Sequence, residues 1–216
     1  MKKLLIITST IFLYVISAQA GVNIGITGMA VDMTAKGSET LKTSSAVQNR
    51  TQSDTFGTPE IFIENERDSG VIIGLSVIPM DAEISSNSLS RTDELTAGSS
   101  TVTNKASAEF SGHSTLYLLL PINDSGLFGK VGIGRVDVKS TESLGTGAAY
   151  GDKVVNFKTI GLGYKKDLSD GMFARFEGSY SDYESIELKS TGSDAVSTIK
   201  GDIDTVNARF TIGKSF

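Results

Sequence analysis

The chain has 216 residues, a formal net charge of −5, no cysteine and 39% hydrophobic residues. The acidic balance excludes a nucleic-acid-binding face, which needs clustered positive charge, so we expect no nucleic-acid partner. Without cysteine the chain has no disulfide framework and no cysteine metal site. No apolar run after residue 21 reaches the about 18 residues that suggest a transmembrane helix.

The first 20 residues are predicted to form a signal peptide. Lys2 and Lys3 provide a positive start, residues 4–16 are mostly apolar, and Ala18-Gln19-Ala20 has the small residues of a cleavage site. The apolar stretch is too short for a membrane-spanning helix, which needs about 20 residues. We therefore expect cleavage before Gly21, secretion across the inner membrane, and one domain over residues 21–216.

The rest of the chain alternates between strand-like runs and polar connections. Each run is long enough to cross a bilayer at a tilt. The eight predicted strands are 22–34, 58–67, 71–84, 107–121, 127–139, 154–167, 172–188 and 203–216. Their lengths predict an all-β fold whose strands span a membrane.

Three connections are short and four are long. The short ones are Asp68-Ser69-Gly70, Asn123-Asp124-Ser125-Gly126 and Ser169-Asp170-Gly171. The long ones, near 35–57, 85–106, 140–153 and 189–202, are polar and rich in serine and threonine, and we predict loops there. Short turns at one end and long loops at the other are typical of an antiparallel up-and-down transmembrane β-barrel.

Alternation within the strands predicts which face meets lipid. In the fourth strand Leu116, Leu118 and Leu120 share one face, because successive side chains point to opposite sides. The opposite face of that strand carries Glu109, Ser111, His113 and Thr115. Faces that carry charged side chains would form a poor hydrophobic core, so we predict that the apolar faces contact lipid and the polar faces line the lumen.

Five charged residues fall on the predicted lumen faces: Glu64, Lys130, Arg175, Glu177 and Arg209. An eight-stranded barrel is narrow enough for side chains to fill it. Buried charges must be paired, and Glu177 with Arg209 is the favoured pair because their strands are neighbours. We interpret the five as a salt-bridged plug; the alternative is a gated path for ions.

At this point the chain resembles the OmpA/OmpX-type family of small bacterial outer-membrane barrels. The resemblance covers residues 21–216 and includes the eight-strand rhythm and the three tight turns. It is also carried by three strings, Gly161-Leu162-Gly163-Tyr164, Ala174-Arg175-Phe176-Glu177 and the final residues 208–216. It implies that Phe210, Ile212 and Phe216 form the terminal signal that the barrel-assembly machinery reads.

His113 is the only histidine, and some small outer-membrane barrels are lipid hydrolases that use a Ser/His/acid set. The neighbouring Ser114 points to the opposite face of the strand, and Thr115 is an unusual nucleophile. With one histidine and no cysteine, the sequence also offers too few ligands for a transition-metal site. We therefore predict no catalytic residue, no metal site and no cofactor.

These patterns predict an integral outer-membrane protein of a Gram-negative bacterium. Its expected role is structural or interactive, with four polar extracellular loops displayed on a side-chain-filled barrel. Expected partners are outer-membrane lipids and lipopolysaccharide, with Arg135 at the rim near lipid phosphates, together with the assembly machinery; the loop ligand is left open. The alternative is a narrow porin-like channel for ions or very small solutes, and a remote third is a lipid-modifying enzyme.

Overall fold

The structure is a computed structural model that describes residues 21–41, 47–83, 91–94, 101–143, 150–191 and 197–216. The predicted signal peptide lies outside these residues. The strands are β1 (Gly21–Leu41), β2 (Val47–Glu66), β3 (Ile72–Val77), β4 (Ala82–Glu83), β5 (Arg91–Glu94), β6 (Thr101–Ile122), β7 (Leu127–Ser143), β8 (Lys153–Asp167), β9 (Met172–Tyr183), β10 (Ile186–Lys189) and β11 (Ser197–Ser215).

Eight of these strands form a closed antiparallel barrel. Each pairs with the next in the order β1, β2, β3, β6, β7, β8, β9 and β11, and β11 pairs back to β1. The short strands β4 and β5 extend the line of β3 along β6, and β10 extends β9 along β11. The predicted eight-stranded up-and-down barrel is therefore confirmed.

Three tight turns close one end of the barrel. Gly70, Gly126 and Gly171 have φ angles of 76°, 81° and 74°, a region that glycine enters without steric cost. The first and last strands meet at this same end, where the backbone N–H of Phe216 donates to the carbonyl of Val22 over 2.9 Å. All three turns lie where the sequence predicts them. Among the described residues, no helix is long and apolar enough to cross a membrane.

The strands extend much further from these turns than predicted, so the four long loops are shorter than expected. β1 continues to Leu41 and β2 begins at Val47, so most of the predicted loop 35–57 is a paired hairpin. Parts of the other three predicted loops are also strand, at 101–106, 140–143 and 197–202. The loop predictions were wrong here because the strands continue as paired backbone beyond the region where apolar side chains face outward.

Along the barrel axis the apolar side chains change from the outer face of the strands to the inner face. In the part near the tight turns, Ile160 and Leu162 of β8 point outward and are 61% and 66% exposed, while Thr159 points inward. Further along the same strand Val155 is buried inside and Asn156 is exposed outside. A ring of outward charged residues marks the change: Asp32, Arg135, Lys158, Asp182 and Asp204.

We call the part between the tight turns and this ring the lower barrel, and the part beyond it the upper barrel. The outer surface of the lower barrel is a belt of exposed apolar side chains that includes Ile26, Leu118, Ile133 and Phe210. The upper barrel instead has an apolar interior, made by Met33, Phe110, Val136, Val138, Val155, Phe157, Tyr183, Ile186 and Ile203. Such an inversion is expected where the lower part of a barrel contacts lipid and the upper part contacts water.

A bulge in β6 produces the inversion on that strand. Its register against β7 shifts between Ser111 and Ser114, and Gly112 has a φ of 61°. Below the bulge Leu116 faces outward as predicted, and His113 lies inside. Above it the phase is reversed, so Phe110 points inward and Glu109 points outward, where it pairs with Lys139 over 3.6 Å. The prediction that Glu109 faces the lumen was therefore wrong, because a bulge adds one residue to one strand.

The described part of the wall has a gap between β2 and the segment that follows β3. Residues 61–66 of β2 pair with both β1 and β3, but among the described residues the stretch 47–60 pairs with β1 alone. Beyond Val77 the chain stays with β6, where the N–H of Ile78 donates to the carbonyl of His113 over 3.0 Å. Pro59 lies inside β2 at this point, not at its start as predicted, and proline suits a strand that has lost one neighbour.

Candidate functional site

The lower lumen holds all five charged residues singled out from the sequence. Arg175 Nη1 lies 2.7 Å from Glu64 Oε1, and both side chains are almost completely buried. Lys130 Nζ lies 2.9 Å from Glu177 Oε1, with 3% and 8% of the two side chains exposed. Strand alternation aims these groups at one another, because each lies on the inward face of its strand.

Arg209 connects the remaining groups. Its Nε lies 3.4 Å from Glu177 Oε1, and Arg209 and Glu177 are directly paired in the ladder between β11 and β9. Its guanidinium also bonds Glu60, which is 3% exposed and which the sequence analysis did not single out. Glu60 lies four residues before Glu64 on β2 and therefore points to the same inward side, so the alternation itself was the signal for it.

We call Glu60, Glu64, Lys130, Arg175, Glu177 and Arg209 the charge layer. It contains three carboxylates and three cationic groups, so its formal charge sums to zero. Each charge has a partner of opposite sign, which is what a poorly solvated ion needs. The layer therefore consists of two sets of ion pairs, Arg175 with Glu64, and Lys130, Glu177, Arg209 and Glu60 in one chain of contacts.

Aromatic side chains fill the space around the charge layer. The Tyr117 hydroxyl donates to Glu64 Oε1 over 2.7 Å, and Lys130 Nζ lies 4.5 Å from the centre of the Tyr117 ring. Arg175 lies over the rings of Phe62 and Phe173 at 5.0 and 4.9 Å. Such cation–π contacts stabilise the cations further. Gly74 accommodates the Tyr117 ring, because a Cβ there would overlap it. Ions and rings are thus packed together in the lower lumen.

A small, mostly apolar cavity of about 50 Å³ lies above the charge layer. Arg209 contributes to its lining from the side of the charge layer, and Phe110, Phe157 and Tyr183 line it from the apolar interior of the upper barrel. Phe56 and Thr58 of β2 line one side of the wall gap, and Ile78, Met80 and Ala82 line the other. The cavity therefore lies directly behind the gap.

His113 lies in the wall of this cavity, held by aromatic neighbours. Its ring stacks on Phe157 with centroids 4.6 Å apart, and its Nε2 lies 3.3 Å from the Tyr183 hydroxyl. Its Nδ1 has no hydrogen-bond partner among the described residues. In that part of the chain there is also no group of three or more His, Asp or Glu residues positioned to hold a metal ion.

The comparisons with known proteins place this geometry in a known architecture. No family model matches the chain, and neither does any curated protein. The solid-state NMR structure of the outer membrane protein AlkL in DMPC bilayers matches 92% of this chain and 90% of its own, with 18% identity and a TM-score of 0.52. The outer membrane protease OmpT from Escherichia coli matches 91% of this chain and 97% of its own, with 8% identity and a TM-score of 0.52.

The fold is that of an outer-membrane β-barrel. Both similar structures are outer-membrane proteins, and the apolar belt of the lower barrel provides the lipid-facing surface that such a barrel needs. At these identities the likeness describes the architecture and not an activity.

The three residues of the suggested assembly signal lie on the outer surface of this outer-membrane barrel. Phe210, Ile212 and Phe216 are 42%, 44% and 73% exposed, at the end of β11 nearest the tight turns. Phe210 also packs on Phe176 of the neighbouring strand, with ring centroids 4.8 Å apart. Their role in assembly stays a prediction.

Charged residues of the outer-membrane barrel cover the outside of its upper part. Arg135 is outward as predicted, and its guanidinium lies 3.6 Å from Asp137. Further up, Glu187 lies 3.5 Å from Lys200 and 3.4 Å from Lys189. The positive charge of Lys200 and the contacts with Lys189 lower the pKa of the Glu187 carboxyl. Such exposed pairs make a soluble surface and add little stability.

Proposed function

We propose that this protein is a non-conducting outer-membrane barrel that anchors an extended, water-exposed upper barrel at the surface of a Gram-negative cell. The observation that supports it is the charge layer, in which Arg175 lies 2.7 Å from Glu64 and Lys130 lies 2.9 Å from Glu177 inside the lower barrel. A structural or surface-interaction role needs a stable anchor and an exposed surface, and the two parts of the barrel provide these.

The proposal includes the route to the membrane and the molecules met there. Residues 1–20 would direct secretion and be removed, and the assembly machinery would read Phe210, Ile212 and Phe216 at the end of β11. Outer-membrane lipids would cover the apolar belt, and lipopolysaccharide phosphates would meet Arg135 and Lys158 at the charged ring. The upper barrel would be the surface for an extracellular partner. No catalytic step is part of the proposal.

Conductance in planar bilayers tests the proposal. We expect the purified protein to insert without a steady ionic current, because each ion of the charge layer is paired and the space around it is filled by rings. A steady current from the unmutated protein would overturn the anchor and support a narrow channel. An open barrel inserted under the same conditions shows that insertion and recording both work.

A further inference from the structure

A groove of about 520 Å³ crosses the outer surface of the barrel at the level of the charged ring. Two rows of outward residues form most of it. The first row joins directly paired positions of five neighbouring strands: Leu75, Leu116, Ile133, Lys158 and Asp182. The second row lies two residues further along each strand toward the upper barrel: Ser114, Arg135, Asn156 and Glu184. The groove therefore runs from the apolar belt into the charged ring.

One end of the groove is apolar. Leu116 and Ile133 are paired across β6 and β7, and they are 49% and 60% exposed. The small side chain of Ser114, beside the β6 bulge, lies above them and leaves the groove open. Exposed side chains of this kind suit a hydrocarbon chain and not water. This end is therefore chemically suited to the acyl chain of a membrane lipid.

The other end of the groove carries two cations and two carboxylates. Arg135 and Lys158 occupy diagonal positions on β7 and β8, close enough for long side chains to reach a common ligand. Lys158 and Asp182 are directly opposite in the ladder, yet within the described part of the chain neither has an ion-pair partner closer than 4 Å. Glu184 accepts a hydrogen bond from Asn156 Nδ2 over 2.9 Å. Lys158 and Asp182 thus present unpaired charges of opposite sign side by side.

The order of these charges defines the head group that fits. The four formal charges sum to zero, so an anion alone would face the carboxylates of residues 182 and 184, and a cation alone would face Arg135 and Lys158. Adjacent strands are about 4.8 Å apart, and the carboxylates lie one strand beyond Lys158. In a phosphoethanolamine group, two carbons separate a phosphate oxygen from a primary ammonium. Such a zwitterion places each of its charges beside the opposite charge.

We propose that this groove is a binding site for one phospholipid with a phosphoethanolamine head. The phosphate lies between Arg135 and Lys158, the ammonium donates to Asp182 and Glu184, and one acyl chain covers the apolar end of the groove. The site rests on the proposed function in one respect, since that function places lipid phosphates at the charged ring. It adds the head group that the barrel selects.

Native mass spectrometry of the full chain in detergent micelles measures the selection. The protein is titrated with phosphatidylethanolamine or with phosphatidylcholine that has the same acyl chains, and the first bound lipid is counted. We expect one saturable phosphatidylethanolamine, bound about five-fold more tightly than phosphatidylcholine, because a primary ammonium donates three hydrogen bonds and a quaternary one donates none. Equal affinities for the two lipids would overturn the proposal.

Anionic lipids test the ammonium from the other side. Phosphatidylglycerol and lipid A carry phosphate but no ammonium, and both should bind more weakly than phosphatidylethanolamine. Tighter binding of either would make the groove an anion site and contradict the zwitterionic head. The outcome is independent of the conductance test. A barrel that conducts and still prefers phosphatidylethanolamine would refute the anchor and keep the site, whereas a silent barrel without that preference would do the reverse.

Charge variants test the two halves of the head group separately. Asp182→Asn and Glu184→Gln should each weaken phosphatidylethanolamine binding about three- to five-fold, the upper range for one exposed ion pair, and leave phosphatidylcholine unchanged. Lys158→Gln should weaken both lipids, because both carry the phosphate. Asp32→Asn makes the matched change on β1, outside the groove, and should alter neither affinity. An unchanged preference in both carboxylate variants would overturn the assignment of the ammonium.

Filling variants test the position of the acyl chain. Ser114→Trp occupies the groove above its apolar end and should abolish saturable binding of both lipids. Asn156→Trp fills the groove from β8, so that failure of one variant to fold leaves the other. Ala30→Trp adds the same ring to the exposed face of β1 and should leave binding unchanged. Saturable binding that survives in both filling variants would place the lipid elsewhere and overturn the site.

Discussion

Strand β8 crosses two environments and reverses its chemistry between them. In the lower barrel Ile160 faces outward and Thr159 inward, whereas in the upper barrel Asn156 faces outward and Val155 inward. The backbone pairing is continuous through the reversal. This difference is what we expect if the exterior solvent decides which face of a strand is apolar, with lipid around the lower barrel and water around the upper barrel as proposed.

The two parts also hold their interiors together by different means. The lower barrel has a charge-balanced layer of ion pairs flanked by aromatic rings. The upper barrel has a cluster of apolar side chains like the core of a soluble barrel. Substitutions at matched positions should therefore differ in how strongly they destabilise the protein, and they test the comparison.

The largest effect is expected from Phe110→Ala in the upper barrel. Phe110 is 7% exposed and packs on Tyr183 with ring centroids 5.7 Å apart. Truncating a buried phenylalanine costs about 3–5 kcal/mol of unfolding free energy. Denaturant unfolding of protein in vesicles gives the value. Val154→Ala, on the exposed outer face of the same region, is the control and should change it by less than about 0.5 kcal/mol. Equal, small effects would show that the upper barrel has no cooperative core.

The next largest effect is expected from Glu64→Ala in the lower barrel. This change leaves the buried Arg175 guanidinium without its 2.7 Å partner, which costs about 3 kcal/mol in the lower part of the range for broken buried pairs. Glu109→Ala breaks the exposed pair with Lys139 and should cost less than about 1 kcal/mol. The same unfolding assay compares them. A loss at Glu109 as large as that at Glu64 would contradict a dry, filled lumen.

A smaller effect is expected from placing a charge on the outer surface, where the lower and upper barrel should respond differently. Ile160→Arg places a charge in the apolar belt and should cost about 2 kcal/mol in vesicles. Asn156→Arg makes the same change four residues away above the charged ring, and we expect less than about 0.5 kcal/mol. Both positions are outward and exposed, so packing does not distinguish them. Similar costs at the two sites would remove the boundary between lower and upper barrel.

The smallest effect is the coupling between Glu177 and Arg209. Glu177 also holds Lys130, and Arg209 also holds Glu60, so each keeps one partner when the other is removed. We expect a coupling energy of about 1 kcal/mol in a double-mutant cycle, with Arg209→Ala still adding a cost in the absence of Glu177. A coupling indistinguishable from zero would show that the 3.4 Å contact contributes no energy.

The lower barrel was predictable from the sequence because a single two-residue alternation of side chains describes its strands. The tight turns contain glycine where φ is positive, and the outward side chains of Leu116, Leu118 and Leu120 alternate with inward, buried ones. The lumen position of Arg175 and its neighbours follows from the same phase. Glu60 was missed although its phase marks it, because the strand was assumed to begin near Pro59.

The upper barrel was not predictable in the same way. Its outward polar residues resemble loop composition, and its inward apolar residues, such as Val136 and Ile203, are too sparse to be recognised without the pairing partners. The β6 bulge shifts the phase by one residue, so that extrapolating from Thr115 placed Glu109 on the wrong face. The wall gap and the cavity depend on where the pairing between β2 and the next strand stops, which alternation does not record.

Cysteine scanning of β8 in bilayers tests the inversion most directly, since the chain has no cysteine of its own. Single cysteines replace Val155, Asn156, Thr159 and Ile160, and a water-soluble maleimide is added from the side that the upper barrel faces. The account expects rapid labelling at Asn156 and slow labelling at Val155, Thr159 and Ile160. Rapid labelling at both Val155 and Asn156 would contradict it, because the upper segment would then be a solvated loop without an apolar interior.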